Sequence, residues 1–276
     1  MAWQGRLNLT FRRDGERSVA MHRHSGPLRL LKSLHPEGPG ICHGVLVHPP
    51  GGIAGGDELV IDLAVEEQAH GLVTTPGATR FYRSAGEPAL QSVWARLAPN
   101  ARLEWLPLET ICHAGALAEN RMRFELAPGA EMIGWDLLAL GLPASDAPFD
   151  RGRITQHIEL PGVWLERGTV DGATPQLLDS PLGWAGYPVM ATMWFAGGGP
   201  IGGKRTESLL DATRAVCTGH ALAATSGCTA PHERVIVLRV LAPNVEPAWT
   251  LLTAVWERWR EQAWGLSAGS PRVWRT

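Results

Sequence analysis

Residues 97–105 read LAPNARLEW and residues 126–135 read LAPGAEMIGW, the same phrase with one residue inserted. Each copy is strand-like, then a Pro-Asn or Pro-Gly turn, then strand-like again. Thr75-Pro-Gly-Ala78 opens a third, weaker copy. Such a unit cannot bury its apolar face alone, whereas stacked copies can, as in a solenoid or a curled sheet. Plain hairpins that share a turn phrase are the competing reading. The phrase by itself leaves both open.

Working outward, alternation marks Leu59, Ile61, Leu63 and Val65, then Val93, Ala95 and Leu97, then Met122, Phe124 and Leu126. Residues 154–160, 163–170, 189–195 and 235–241 add short strand candidates, with turn signals at Asp14-Gly15, Pro99-Asn100, Pro128-Gly129 and Pro161-Gly162. Helical spacing predicts two helices. One runs from Thr206, as N-cap, to about Thr218. The other runs from Pro247 to Trp264 with Trp249, Leu252, Trp256 and Trp259 on one face and Gly265 as its stop. No linker composition divides residues 1–276, so the expectation is a single β-rich domain.

Bulk composition excludes several classes. The 276 residues are 45% hydrophobic and 19% charged with a formal net charge of -2, which gives a large core and no basic footprint for nucleic acid. The stretch from Gly38 to Gly56 lacks charged residues but is broken by Pro39, Pro49 and Pro50, so it predicts no membrane helix. Arg6, Arg12 and Arg13 interrupt any apolar leader. Cys42, Cys112, Cys217 and Cys228 form no disulfide framework, which fits a reducing compartment. A cytoplasmic protein is expected.

Two loop phrases stand out, HPPGGIAGGD from His48 to Asp57 and TPGATRFYRS from Thr75 to Ser84. Glycine permits positive φ and proline fixes φ, so such density defines the backbone closely. Neither phrase joins a nucleophile, a base and an orienting group. They read as recognition elements, with Arg80, Tyr82 and Arg83 as partner-binding candidates. The segment Gly198–Lys204 matches G-x4-G-K, the pattern of a phosphate loop. Arg205 follows where Ser or Thr should hold magnesium, and Pro200 removes a donor. A nucleotide-binding enzyme using this loop is the alternative function, set against a plain Gly-rich loop.

Metal-ligating residue types occur as His22/His24, Cys42/His43, Cys112/His113, Cys217/His220 and Cys228/His232; the adjacent Cys-His pairs face opposite ways on a strand, Cys217/His220 shares one side of a helix end, and buried cysteine with polar histidine is the default. The twelve Trp residues read as core, with some left to mark a partner surface. Glu104, Glu109, Asp136 and Glu166 interrupt apolar stretches. Each must be exposed, paired, or facing a wet cavity.

The two loop phrases, together with Leu103–Ile111 (LEWLPLETI), Pro271–Thr276 (PRVWRT), Pro36-Glu37-Gly38 and Gly26-Pro27-Leu28, resemble the urease accessory protein family UreD, also called UreH, along essentially the whole chain. Arg80 departs from the lysine usual there, and residues 141–146 depart from a common Gly-Arg pattern. The resemblance implies a mainly β protein with a non-standard β-helix-like stack of strands and two α-helices. It implies a non-enzymatic maturation chaperone that binds apo-urease, UreF and UreG, in keeping with a dimer of heterodimers with UreF. GTP is then used by UreG, nickel is handled transiently, and no cofactor is bound stably. A carrier that releases its ion needs carboxylates and carbonyls rather than clustered imidazoles or thiolates. Asp57, Glu104, Glu109, Asp136 and Glu166 are therefore the candidates, some of which are expected to line a nickel route, with no stable metal site.

Overall fold

The computed structural model describes residues 2–267 and 269–275; Thr276, the end of the C-terminal phrase, lies outside the described residues. The chain begins with β1 (Gln4–Asp14), β2 (Arg17–Ser25), β3 (Arg29–Leu30), β4 (Cys42–Val47) and β5 (Glu58–Val65). Next come β6 (His70–Thr74), β7 (Thr79–Phe81), β8 (Ala89–Leu97), β9 (Arg102–Leu106) and β10 (Thr110–Cys112). Then follow β11 (Leu117–Leu126), β12 (Glu131–Leu140), β13 (Arg153–Leu160), β14 (Trp164–Asp171) and the short helix α1 (Pro175–Asp179). The chain closes with β15 (Val189–Gly197), α2 (Gly203–Thr218), β16 (Ser226–His232), β17 (Val235–Ala242) and α3 (Val245–Trp264).

The repeated phrases are corners between two sheets. A seven-stranded sheet runs β14-β13-β11-β8-β5-β1-β2, and a larger one runs β16-β17-β15-β12-β9-β6-β4-β3. β5, β8 and β11 lie parallel in the first sheet, with Val65 beside Leu97 and Leu97 beside Leu126. β6, β9 and β12 lie parallel in the second. Each phrase therefore carries the chain from one sheet to the other, and successive copies stack. The hairpin reading fails here, because β8 does not pair with β9.

The third copy needs correction. Thr75-Pro-Gly-Ala78 turns a different corner, from β6 into β7, while the stacked partner of the two phrases is Val65-Glu-Glu-Gln-Ala69. What the corner requires is a left-handed residue before a buried alanine. Gln68 (φ 59°), Asn100 (φ 58°) and Gly129 (φ 77°) hold that position, followed by Ala69, Ala101 and Ala130. Pro-Gly was a proxy for that geometry and matched the wrong turn.

Three layers result. Leu7, Leu9, Phe11, Leu63, Phe124 and their neighbours fill the space between the sheets. A second core, including Trp135, Phe195, Leu251, Trp256 and Trp259, lies between the larger sheet and α2/α3. The first sheet has one wet face, so β1 and β5 alternate cleanly. β12 and β15 are covered on both faces and are buried almost throughout. Both expected helices form, and α1 adds a third of only five residues. The α2 N-cap is Gly202 rather than Thr206, and Gly265 ends α3 in the left-handed conformation at φ 64°. Seven of the twelve Trp residues are buried, while Trp3 and Trp94 are exposed.

Candidate functional site

The two loop phrases fold onto each other. Ile53 bridges Phe81 in parallel and Ile111 aligns with Arg80, so residues 48–53, 75–81 and 107–111 are successive layers of one corner. Between the first two lies a half-open cleft of about 260 Å³. Leu28, Leu46, Ile53 and Leu59 form its apolar lining, and His48, Thr75, Arg80 and Gln91 supply polar atoms. Gly52 is there because a Cβ would sit 2.0 Å from Cε2 of Tyr82. Asp57 ends the first phrase by accepting the backbone N–H groups of Ala54 at 2.9 Å and Trp3 at 2.7 Å.

The histidines at this corner are unusual. Nε2 of His48 and of His113 are buried with no hydrogen-bond partner among the described residues. Burial holds His48 below the ordinary histidine range, against the pull of Asp57, and holds His113 down with help from the Arg80 charge. Tyr82 is 39% exposed and its ring lies 5.0 Å from that of His113. Arg83 packs over Gly115, whose added Cβ would meet it at 2.9 Å. Arg80 thus lines the cleft, Tyr82 lies over Gly52 and His113, and Arg83 lies over Gly115.

A second polar group lies between the sheets. Asp136 on β12 points to the seven-stranded sheet, where Asn120 Nδ2 of β11 donates to Oδ1 at 3.2 Å and Gln156 of β13 donates to Oδ2. Burial, reinforced by the charge of Glu166, pushes Asp136 up to about 6, although both amides favour the ionised form. Glu166 on β14 accepts from Arg239 of β17. Gln156, Glu166 and Arg239 line a cleft of about 410 Å³ that also meets Leu177, Leu182 and Trp184. Asp136 therefore sits behind the wall of an open cleft, one amide away from its surface.

Glu104 faces the other way. It is fully buried on β9 and accepts from His70 Nε2 at 2.8 Å and from the indole N–H of Trp256 on α3 at 2.6 Å. Arg260 of α3, fully buried as well, lies 3.5 Å from Glu104 and donates to Glu37 at 2.7 Å. Burial alone would raise Glu37, but hydrogen bonds from His43 and Arg260 outweigh it and hold the carboxyl below its usual range. Glu109 is half-buried at the loop-phrase corner, where its carbonyl accepts the Thr79 N–H. The five carboxylates thus occupy three places: Asp136 with Glu166, Glu104 beneath α3, and Asp57 and Glu109 near the corner.

The G-x4-G-K segment lacks the context of a phosphate loop. β15 before it is antiparallel to both neighbours, and the Gly198 and Ile201 N–H groups donate to the carbonyls of Ala130 and Glu233. A cradle would need such donors free. Among the described residues no three His, Cys, Asp or Glu side chains converge on a metal-sized site. All four cysteines are free and buried, and burial pushes Cys112 and Cys228 up to about 12. No described helix is long and apolar enough to cross a membrane.

Sequence reasoning missed Asn120, Gln156, Glu37 and Arg260. A signal existed for the first two: both fall on the inward register of alternating strands, between Ala118 and Met122 and between Ile154 and Ile158. The pairing of Glu37 with Arg260 spans 223 positions and leaves no local trace. Within the C-terminal phrase, Trp274 packs against the protein. Trp274 donates to Thr74 at 2.8 Å and its ring lies 5.0 Å from that of Trp249.

The family model described as "UreD urease accessory protein" matches residues 4–275. The urease accessory protein UreD of Variovorax paradoxus (strain S110) is 56% identical over 276 residues, covering all of both chains. That of Paracidovorax citrulli (strain AAC00-1) is 58% identical over 274 residues, covering 99% of each. That of Leptothrix cholodnii (strain ATCC 51168 / LMG 8142 / SP-6) is 58% identical over 278 residues, covering all of both.

Proposed function

The chain belongs to the UreD family of urease accessory proteins, and from that premise we propose that it is a non-enzymatic scaffold that helps nickel reach apo-urease. In this reading it acts in the cytoplasm, holding apo-urease together with UreF and the GTPase UreG. The carrying observation is Asp136, a carboxylate 5% exposed between two sheets and linked through Gln156 to the cleft at Glu166. A buried anion without a cation is costly, and that cost is what raises its pKa to about 6. A divalent ion passing by removes the cost, so the position attracts a cation. Two carboxylates and two amides are also weak enough donors to release it. Arg239 holds the outer carboxylate in place until an ion displaces it.

Glu104 already has the Arg260 cation 3.5 Å away besides the donors His70 and Trp256, and Asp57 is spent on two backbone N–H groups, whereas the donors to Asp136 are neutral amides. Glu109 lies apart at the loop-phrase corner, so the proposed path narrows to Asp136 and Glu166. Replacing either with Ala is expected to lower the nickel content and activity of urease matured in cells, while urease, UreF and UreG still co-purify with the chain. Wild-type nickel occupancy in both variants would end the proposal.

A further inference from the structure

The seven-stranded sheet ends at β2 and β14, and the larger sheet at β16 and β3. A free edge strand invites pairing with another chain, and three of these four edges are guarded against it. β2 is blocked at Ser18, whose N–H donates to the Pro39 carbonyl at 2.9 Å and whose hydroxyl donates to that of Gly40 at 2.7 Å. β3 has only two residues, and β16 carries Pro231 and a break in register between Thr229 and His232. Among the described residues β14 is neither covered, short nor broken. Its eight residues keep an unbroken register with β13 and include no proline. Glu166, an inward charge that would deter a strand, is held by Arg239.

The hydrogen-bond phase of β14 leaves three residues over. The Gly172 N–H donates to the Gly152 carbonyl at 2.9 Å, and the Arg153 N–H to the Ala116 carbonyl at 2.7 Å. Alternate residues of an antiparallel pair face the neighbouring strand. The even-numbered residues of β14 therefore bond β13, and Leu165, Arg167 and Thr169 turn their N–H and C=O groups outward. No other strand or turn takes these groups up among the described residues, and all three residues are exposed. Even-numbered side chains point inward, where Gly168 lines the cleft of about 410 Å³. A Cβ built on Gly168 meets nothing within 4 Å, so the edge has a hole at its centre. Leu177, 44% exposed, and Leu182, wholly exposed, line the same cleft.

We propose that the outer edge of β14 is a docking edge, to which an extended segment of a partner protein adds as a further strand with an aromatic side chain opposite Gly168. The inference rests on the scaffold reading, since it concerns how the scaffold holds a partner. The backbone groups of Leu165, Arg167 and Thr169 supply the ladder. The ring supplies selectivity by filling the hole and covering Leu177 and Leu182. A second copy fits less well. Two β14 strands paired antiparallel about a two-fold axis, inner face with inner face, overlap most in the registers centred on Arg167 and on Gly168. The first sets guanidinium against guanidinium, and the second leaves the hole facing another glycine. The occupant is therefore a different chain.

The test titrates two blocked peptides onto the purified full chain, acetyl-Thr-Val-Phe-Val-Thr-amide and acetyl-Thr-Val-Ser-Val-Thr-amide. The first is expected to bind about tenfold more tightly. It should also slow hydrogen exchange at the Leu165, Arg167 and Thr169 amides, which exchange fast in the free chain. Thr169→Pro removes one outward N–H without touching the β13 ladder and should weaken binding about fivefold. Gly168→Val fills the hole and should abolish the preference for the aromatic peptide, whereas Arg167→Ala should leave it unchanged. Thermal melts confirm that the variants are folded. Equal binding of the two peptides, no slowed exchange at the three amides, or wild-type binding by Thr169→Pro would each overturn the docking edge. So would a dimer in sedimentation that Thr169→Pro dissociates. Urease maturation in cells separates this inference from the reading beneath it. Normal activation by a Thr169→Pro chain with weakened peptide binding removes the docking edge alone, whereas wild-type nickel occupancy in both Asp136→Ala and Glu166→Ala removes the scaffold reading.

Discussion

Asp136 carries a stability cost at the position proposed for the ion path. Its carboxyl titrates at about 6 in the fold, against an ordinary value of about 3.9 in the unfolded chain. Protonated Asp136 is therefore the form the fold prefers. Its contribution is fully present below pH 4 and is lost as pH rises through 6, a loss of order 3 kcal/mol. In Asp136→Asn that fall in stability between pH 4 and pH 7 should be absent, as read by urea unfolding at a series of pH values. A slope equal to wild type would mean that the group is not desolvated as the two sheets imply. The acidic interruption of β12 was visible in the sequence. Its amide partners were not read, because they lie on two other strands brought alongside only by the stacking.

At the scale of the element, the corner is the unit that matters. Three successive corners place a left-handed residue before a buried alanine, and the three differ in how easily they do so. Gln68 adopts a conformation unfavourable for an L side chain, Asn100 tolerates it, and Gly129 adopts it freely. Replacing Gln68 with Gly should therefore raise the unfolding free energy by roughly 0.5–1 kcal/mol. Gly129→Ala should lower it by about 1–3 kcal/mol, since the new Cβ would lie 2.3 Å from Oδ1 of Asn100. Thermal melts of the two variants check both signs. The strands β5, β8 and β11 were legible by their alternation. β7 and β10 have three residues each, too few to show any period, and they build the corner where the loop phrases meet.

Over the whole molecule, Arg260 ties regions that are distant in sequence. It joins Glu37 of the segment between β3 and β4 to Glu104 of β9 from its place in α3, and its guanidinium carbon lies 4.9 Å from the centre of the Trp256 ring. Arg260→Met keeps the volume but leaves buried Glu104 and half-buried Glu37 without their cation. A loss of about 3–5 kcal/mol in urea unfolding is expected. A loss below about 1 kcal/mol would show that the two histidines, His43 and His70, neutralise the site on their own.

The chain's β-rich character, its two long helices and the tightly defined backbone of its loop phrases follow from local chemistry, because period-2 alternation, helical spacing and Gly-Pro density act over a few neighbouring residues. The sequence alone also marked Asp136 and Glu166, together with Asp57, Glu104 and Glu109, since a carboxylate in an apolar run needs an explanation wherever it lands. Only the tertiary structure decided that the repeated phrases stack rather than fold back, that two separate loops form one cleft, and that Glu104 faces α3 while Asp136 faces the other sheet. Those outcomes depend on which strands become neighbours in parallel register, and that is settled by burying both faces of the larger sheet at once, a requirement no short window of sequence contains.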